Sequence, residues 1–226
     1  MISARILAIS IPWALLSAPS LCAGDLSRYH EFQLGMNLPA VVKLVGMSSS
    51  GLKVIHQRPE LIQELDWQPK RYPGAFPDVE PVKSILFSFC SGELFRMVVT
   101  YDRYETEGLT TEDMIEAISA NYGTATRPAA DIIFPSIYNE SVKVIARWED
   151  PQYSFNLVRS SYQPSFGMVV LFKRLDAVAR AAIVEALRLD EQEAPQKELD
   201  RQSKQEEESR ALQQKARLVN KPKFRP

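Results

Sequence analysis

Histidine and cysteine are scarce in this chain, two of each among 226 residues. His30 and His56 have no further ligand types at local spacing, so a zinc-like site is not expected. Cys22 falls in an apolar leader, which leaves Cys90 without an intramolecular partner. A disulfide framework is therefore excluded, and stability must come from packing. Catalytic motifs are lacking as well. There is no G-x-S-x-G elbow, and no S-D-N or K-T-G accompanies the S-x-x-K match Ser50-Gly51-Leu52-Lys53. That chemistry needs the serine at a helix start, whereas here the motif follows a helix stop and precedes a strand. Cys90, at the end of a strand, has no neighbouring cation to activate it and reads as packed and inert. His56 reads as a half-buried polar residue of a strand. No cofactor or metal is expected, and an enzyme of unrecognised type is the third reading of function.

An excess of one charge is also missing. The 27 basic and 28 acidic residues give a net charge of -1 and a pI of about 6.2. Without a global basic field, a nucleic-acid partner is not expected. After the first twenty residues no apolar run is long enough to span a membrane; Phe166 to Phe172 is strand-sized.

What the sequence does contain begins with an export signal. Arg5 supplies a positive start, Ile6 to Leu16 an apolar core, Pro19 a break, and Cys22-Ala23-Gly24 small residues for a peptidase. Residues 1–24 are thus expected to be removed near Gly24, giving a periplasmic or secreted protein starting at Asp25. Lipidation of Cys22 is the less favoured reading, because Leu21 stands where a lipobox wants a small residue. The rest, with 45% hydrophobic and 24% charged residues, has ordinary globular composition.

Two stretches open a helix in the same way. In "FQLGMNLPAVVKLVG", Asn37 is an N-cap, Met36 and Val41 have staple spacing, and Gly46 is a stop. Leu38, Val41, Val42 and Val45 share one face. In "EGLTTEDMIEAISANYG", Thr110 caps, Asp113 completes a capping box, Leu109 and Met114 form the staple and Gly123 ends the helix. Its apolar face is Met114, Ile115, Ile118 and Tyr122. Extended segments follow each, ending at Trp67 in one half and Trp148 in the other. Then comes a hairpin, Ile85-Phe87-Phe89 with Phe95-Met97-Val99-Tyr101, and in the second half Tyr153-Phe155-Leu157 with Phe166-Met168-Val170-Phe172. The expected fold is α+β. Two repeated helix-plus-antiparallel-sheet units, 25–106 and 107–188, are followed by a charged helical tail, 189–226. The second unit includes a closing amphipathic helix over Leu175, Val178, Ala179, Ala182, Ile183, Ala186 and Leu187. The tail lacks an apolar stripe and is expected to be solvated and fraying. Its end, from Lys215, is basic, and membrane contact there, with help from Phe224, is an option.

The stretches "LGMNLPAVVKLVG" and "ILFSFCSGELFRMVV", and more loosely "EGLTTEDMIEAISANYG", resemble the small outer-membrane assembly lipoproteins of the SmpA/OmlA (BamE-like) type. A tandem pair of such units is similar to the β-lactamase inhibitory protein fold. The resemblance covers roughly Phe32 to Phe172. It implies short helices packed on an antiparallel sheet, protein binding, and no catalytic residues. The chain departs from that pattern at the lipobox, in the tail and in a Pro-rich loop, Gln68 to Pro81, that the second half lacks.

That loop is the candidate contact surface. Pro69, Pro73, Pro77 and Pro81 restrict it, and Arg71, Tyr72 and Phe76 are residue types enriched in interfaces. Trp67 supports its base. The leading reading is an exported, non-enzymatic protein-binding module, scaffold or inhibitor, whose partner is another envelope or secreted protein. The alternative is an envelope structural or assembly factor associated with membrane or cell wall.

Overall fold

Helix-capping chemistry organises the chain, and the computed structural model shows it residue by residue. Residues 24–47, 51–69, 81–128, 133–135, 141–160, 165–223 and 225 are described. Two short strands, β1 (Arg28–Tyr29) and β2 (Phe32–Gln33), pair first. Helix α1 (Leu38–Val45) then starts where the Asn37 side chain accepts from the Ala40 N–H at 2.9 Å. It stops at Gly46, whose φ of 63° is left-handed. Helix α2 (Thr111–Tyr122) begins with a full capping box. The Thr110 hydroxyl accepts from Asp113 N–H, and the Asp113 carboxylate accepts from Thr110 N–H at 2.8 Å. Gly35 and Gly108, two residues before the N-caps, both take positive φ, 87° and 83°, a conformation that glycine adopts without a Cβ clash.

The strands are β3 (Leu52–His56), β4 (Ile62–Trp67), β5 (Val82–Cys90) and β6 (Glu93–Tyr101) in the first half. The second half supplies β7 (Ile133–Pro135), β8 (Ser141–Glu149), β9 (Tyr153–Ser160) and β10 (Phe166–Phe172). They form one antiparallel sheet of eight strands in the order β3-β4-β5-β6-β10-β9-β8-β7. Each half is a four-stranded meander, and the halves meet where β6 pairs β10, with Val99 opposite Met168. The two-residue β5–β6 turn has positive φ at both Ser91 and Gly92, the geometry whose twist suits a tight hairpin.

Alternation along the strands divides the side chains between two faces. One face carries Leu65, Ile85, Phe87, Met97, Val99, Trp148, Phe155, Leu157, Met168 and Val170. These pack against Val41 of α1, Met114 of α2 and the entering segment Leu26, Tyr29, Phe32 and Leu34. The expected helix faces are therefore the buried ones, with Leu38, Val42, Val45, Ile115, Ile118 and Tyr122 half-buried beside them. The entering segment is absent from the sequence reading. Its strands are two residues long, and no periodicity test can register them.

The opposite face receives helix α3 (Lys173–Asn220), 48 residues long. Leu175 and Ala179 pack on Ile62, Cys90 and Phe95, with Ile55 and Ile183 alongside. Ala179, Ala182 and Ala186 are buried, and their small side chains let the helix lie close to the strands. Two residues of the expected closing stripe are corrected. Val178 and Leu187 stay exposed at the helix flanks, and Asp176 is buried in the stripe instead. The expected charged helical tail is present. It is continuous with the closing helix as far as Asn220, passing through Pro195. Its surface carries ion pairs one turn apart, Arg201 with Glu198 at 2.8 Å and Arg210 with Glu206 at 3.2 Å, which support an isolated helix.

Contact between this projecting helix and the body closes at Arg58, whose guanidinium holds Glu193 and lies 3.8 Å from Asp190. Among the described residues, the chain beyond that point adds exposed pairs, each contributing about 0–1 kcal/mol. Deleting 194–226 is expected to shift the melting temperature by less than about 4 °C, since 1 kcal/mol moves Tm by about 2–4 °C at this size. A much larger loss in a thermal scan would place the tail on the body.

Candidate functional site

Strand register gathers one set of connections at a single end of the sheet. Trp67 lies opposite Ile85, Val82 opposite Tyr101, Thr100 opposite Gly167, Phe166 opposite Arg159, Val142 opposite Ser160 and Pro135 opposite Ser141. The segments joining these strand ends are 68–81, 102–110, 136–140 and 161–165. The other end of the sheet carries the turns at 57–61, 91–92 and 150–152.

Of the sequence-predicted site residues, Trp67 lies among the described residues; Arg71, Tyr72 and Phe76 lie outside them. Trp67 is half-buried as the last residue of β4. Its ring is 5.8 Å from Phe32, edge-on, and 6.4 Å from Phe87; Phe32 and Phe87 are 4.7 Å apart. Such offset and edge contacts fix ring orientation. The start of segment 68–81 is thus attached to a rigid aromatic base. Its far end is attached too, because the Pro81 carbonyl accepts from Asp102 N–H at 2.6 Å.

The adjoining turn presents an aromatic that the sequence reading did not single out. Tyr104 is 79% exposed, with the Arg103 guanidinium 6.0 Å from its ring centre. The turn beneath it is tightly held. The Asp102 side chain accepts from Tyr104 N–H at 2.8 Å. The Asp102 carbonyl accepts from the Thr106 hydroxyl at 2.8 Å and from Thr106 N–H at 3.1 Å, and Thr106 is buried. The signal was present in "YDRYETEG": an Asp after a strand can accept from the backbone N–H two residues on, an Asx-turn that here holds Tyr104. A preorganised turn loses little entropy when its aromatic is covered by a partner. A second Arg–aromatic pair, Arg159 over Phe166 at 5.2 Å, stands at the same end.

Titratable groups cluster elsewhere, under the start of α3. Arg96 donates to Glu64 at 3.3 Å and to the Ser88 hydroxyl at 3.2 Å. Asp176 accepts from Arg180 at 2.6 Å through Oδ2, while its buried Oδ1 has no hydrogen-bond partner. Burial pulls the Arg96 guanidinium below its ordinary pKa, against the fields of Glu64 and Asp176, which raise it. Opposite charges alternate across this cluster, so its arrangement can hold the helix on the sheet; a negative Asp176 in the first turn also suits the helix dipole.

The remaining candidates are plain. Cys90 is buried, and burial, with Glu60 and Glu93 nearby, pushes its thiol up, away from the reactive thiolate. His56 is half-buried at the end of β3, beside a cleft of about 210 Å³ that Arg58, Asp190 and Lys197 also line. There the Arg58 hydrogen bonds, helped by Lys197, hold Glu193 down to about 2. Lys53 is an exposed residue of β3, and Ser50 lies outside the described residues. Among the described residues no group of three or more His, Cys, Asp or Glu is placed to hold a metal, and no helix is long and apolar enough to cross a membrane. Comparison with protein-family models, with curated proteins and with solved structures found no match to this chain.

Proposed function

We propose that this chain is an exported, non-enzymatic protein-binding module, a scaffold or inhibitor of another envelope or secreted protein. In this reading it is built from two related units resembling the SmpA/OmlA (BamE-like) type. Several features support the repeat. Each half runs helix, then a four-stranded meander. The glycines before both helices share a positive φ. Trp67 and Trp148 stand on the second strand of each meander, opposite Ile85 and Phe155. Cleavage near Gly24 leaves the packed residues Leu26, Tyr29, Phe32 and Leu34 in the mature protein.

The observation that carries the functional reading is the loop end of the sheet. A rigid platform there presents an exposed Tyr on a turn held by Asp102, and Trp67 and Pro81, which flank the Pro-rich segment, stand at that same end. Function tends to reside on loops that a scaffold positions, and Tyr and Arg dominate interface energetics. Segment 70–81 and Tyr104 form the contact surface in this reading.

The test starts with a pull-down from envelope extract to identify a stoichiometric partner, followed by affinity measurements. Tyr72→Ala/Phe76→Ala and, separately, Tyr104→Ala are expected to weaken binding by about 2 kcal/mol or more, about thirtyfold, with thermal unfolding unchanged. Folded variants that bind as tightly as the parent would reduce these segments to connections. The distal end of α3 favours the second reading, an envelope factor associated with membrane or cell wall. Sedimentation with the membrane or wall fraction, without a protein partner, would select it.

A further inference from the structure

The far end of α3 carries a charge pattern unlike the rest of the helix. Between Leu189 and Ser209, acidic residues outnumber basic ones eight to three. Two of those three cations are paired, Lys197 with Glu193 and Arg201 with Glu198, and just outside the stretch Arg188 pairs with Glu185 and Arg210 with Glu206. After Glu208 the sequence has no acid and six cations, Arg210, Lys215, Arg217, Lys221, Lys223 and Arg225. Among the described residues, Lys215, Arg217, Lys221 and Lys223 take part in no ion pair.

Although the tail as a whole is expected to lack an apolar stripe, this last segment carries a short one. Leu212, Ala216 and Val219 recur at i, i+4 and i+7 and so share a face, with Leu218 and Ala211 to one side. Leu212 is 68%, Leu218 76% and Val219 49% exposed. Arg210, Arg217 and Lys221 fall on the opposite side of the helix at 100° per residue. Among the described residues, the last ion pair between this helix and the body is Arg58 with Glu193, about 40 Å along the helix from Asn220.

We propose that the 210–223 end of α3 docks on an anionic membrane surface. Leu212, Ala216 and Val219 face the acyl boundary, and the guanidinium and ammonium groups meet headgroup phosphates. A cationic helix with one apolar face is what binds in the plane of such an interface, and anionic lipid attracts each added Lys or Arg. A nucleic acid would satisfy the cations but leave the apolar stripe without a partner. The acidic stretch below the tip is repelled by the same surface, which confines contact to the tip and holds the body off. This inference does not depend on the protein-binding reading.

The experiment uses the full chain with vesicles of phosphatidylcholine and phosphatidylglycerol in equal parts, or of phosphatidylcholine alone, followed by sedimentation. Affinity for the anionic vesicles is expected to fall on the order of a hundredfold in R210Q/K215Q/R217Q/K221Q, and also on raising the salt. L212D/V219D is expected to lower it about tenfold by removing apolar insertion. Both variants alter residues beyond the body and should unfold at the parent temperature. Vesicle affinity that is the same in the parent and the charge variant overturns the proposal. So does duplex DNA or polyglutamate binding tighter than vesicle binding and unaffected by L212D/V219D, which would make the tip a nucleic-acid or acidic-protein contact.

Discussion

Removing residues 24–34 is expected to abolish cooperative unfolding. Leu26, Tyr29, Phe32 and Leu34 are all buried in the main core, and they bridge the two meanders. Tyr29 is 6.4 Å from Phe155 in the second half, while Phe32 is 4.7 Å from Phe87 in the first. Burying such a side chain contributes about 1.5–3 kcal/mol, so four of them amount to roughly 8 kcal/mol. That is comparable with the whole stability of a domain, about 5–15 kcal/mol. Backbone bonds would go with them, including Leu34 N–H to the Ser27 carbonyl at 2.8 Å. A chain starting at Gly35 should show little near-UV circular dichroism and no sigmoidal urea transition. Phe32→Ala alone should cost about 3–5 kcal/mol. A truncated chain that kept the parent midpoint would mean that the sheet and its helices suffice without this cover.

Trp148→Ala is expected to lower stability by about 4 kcal/mol, or about 8–16 °C in Tm. Trp148 is 2% exposed, and its indole N–H donates to the Gly123 carbonyl at 2.9 Å and lies 3.2 Å from the Ser119 hydroxyl. It therefore ties β8 to the end of α2 as well as filling the core. Trp148→Phe keeps much of the bulk but leaves a carbonyl unpaired, a loss of about 1–3 kcal/mol. Trp67, the last residue of β4, is only half-buried, so Trp67→Ala should cost about 2 kcal/mol. Chemical denaturation of the three variants measures the difference. Equal losses at Trp67 and Trp148 would show that both are core residues alone, with nothing left over for a role at the base of segment 68–81.

Local chemistry is why so much of the fold could be read in advance. Caps at Asn37 and Thr110, stops at Gly46 and Gly123, and alternation in β5, β6, β9 and β10 are all encoded within a few residues of where they act. The fragment Ser91-Gly92 predicts its hairpin for the same reason. Less was legible where an element depends on distant partners. Strands β1 and β2 exist because Tyr29 and Phe32 land on Phe155 and Phe87, far away in sequence. Tyr104 resembles any loop aromatic until the hydrogen bonds around Asp102 show that it is held outward. The buried Asp176 contradicts its own polarity, and only Arg96 and Arg180 account for it.

By itself, then, the sequence determined the helices, most strands, the α+β class and the scarcity of metal-ligating and thiol chemistry, because each follows from residue type and short-range spacing. Tertiary structure alone decided that the two meanders join edge to edge through β6 and β10. Backbone hydrogen bonds between strands some seventy residues apart carry no local signature, since any apolar, alternating strand offers the same ladder. It also decided which side of α3 is buried. Ala179, Ala182 and Ala186 win over Val178 and Leu187 because close approach to a sheet rewards small side chains as much as apolar ones.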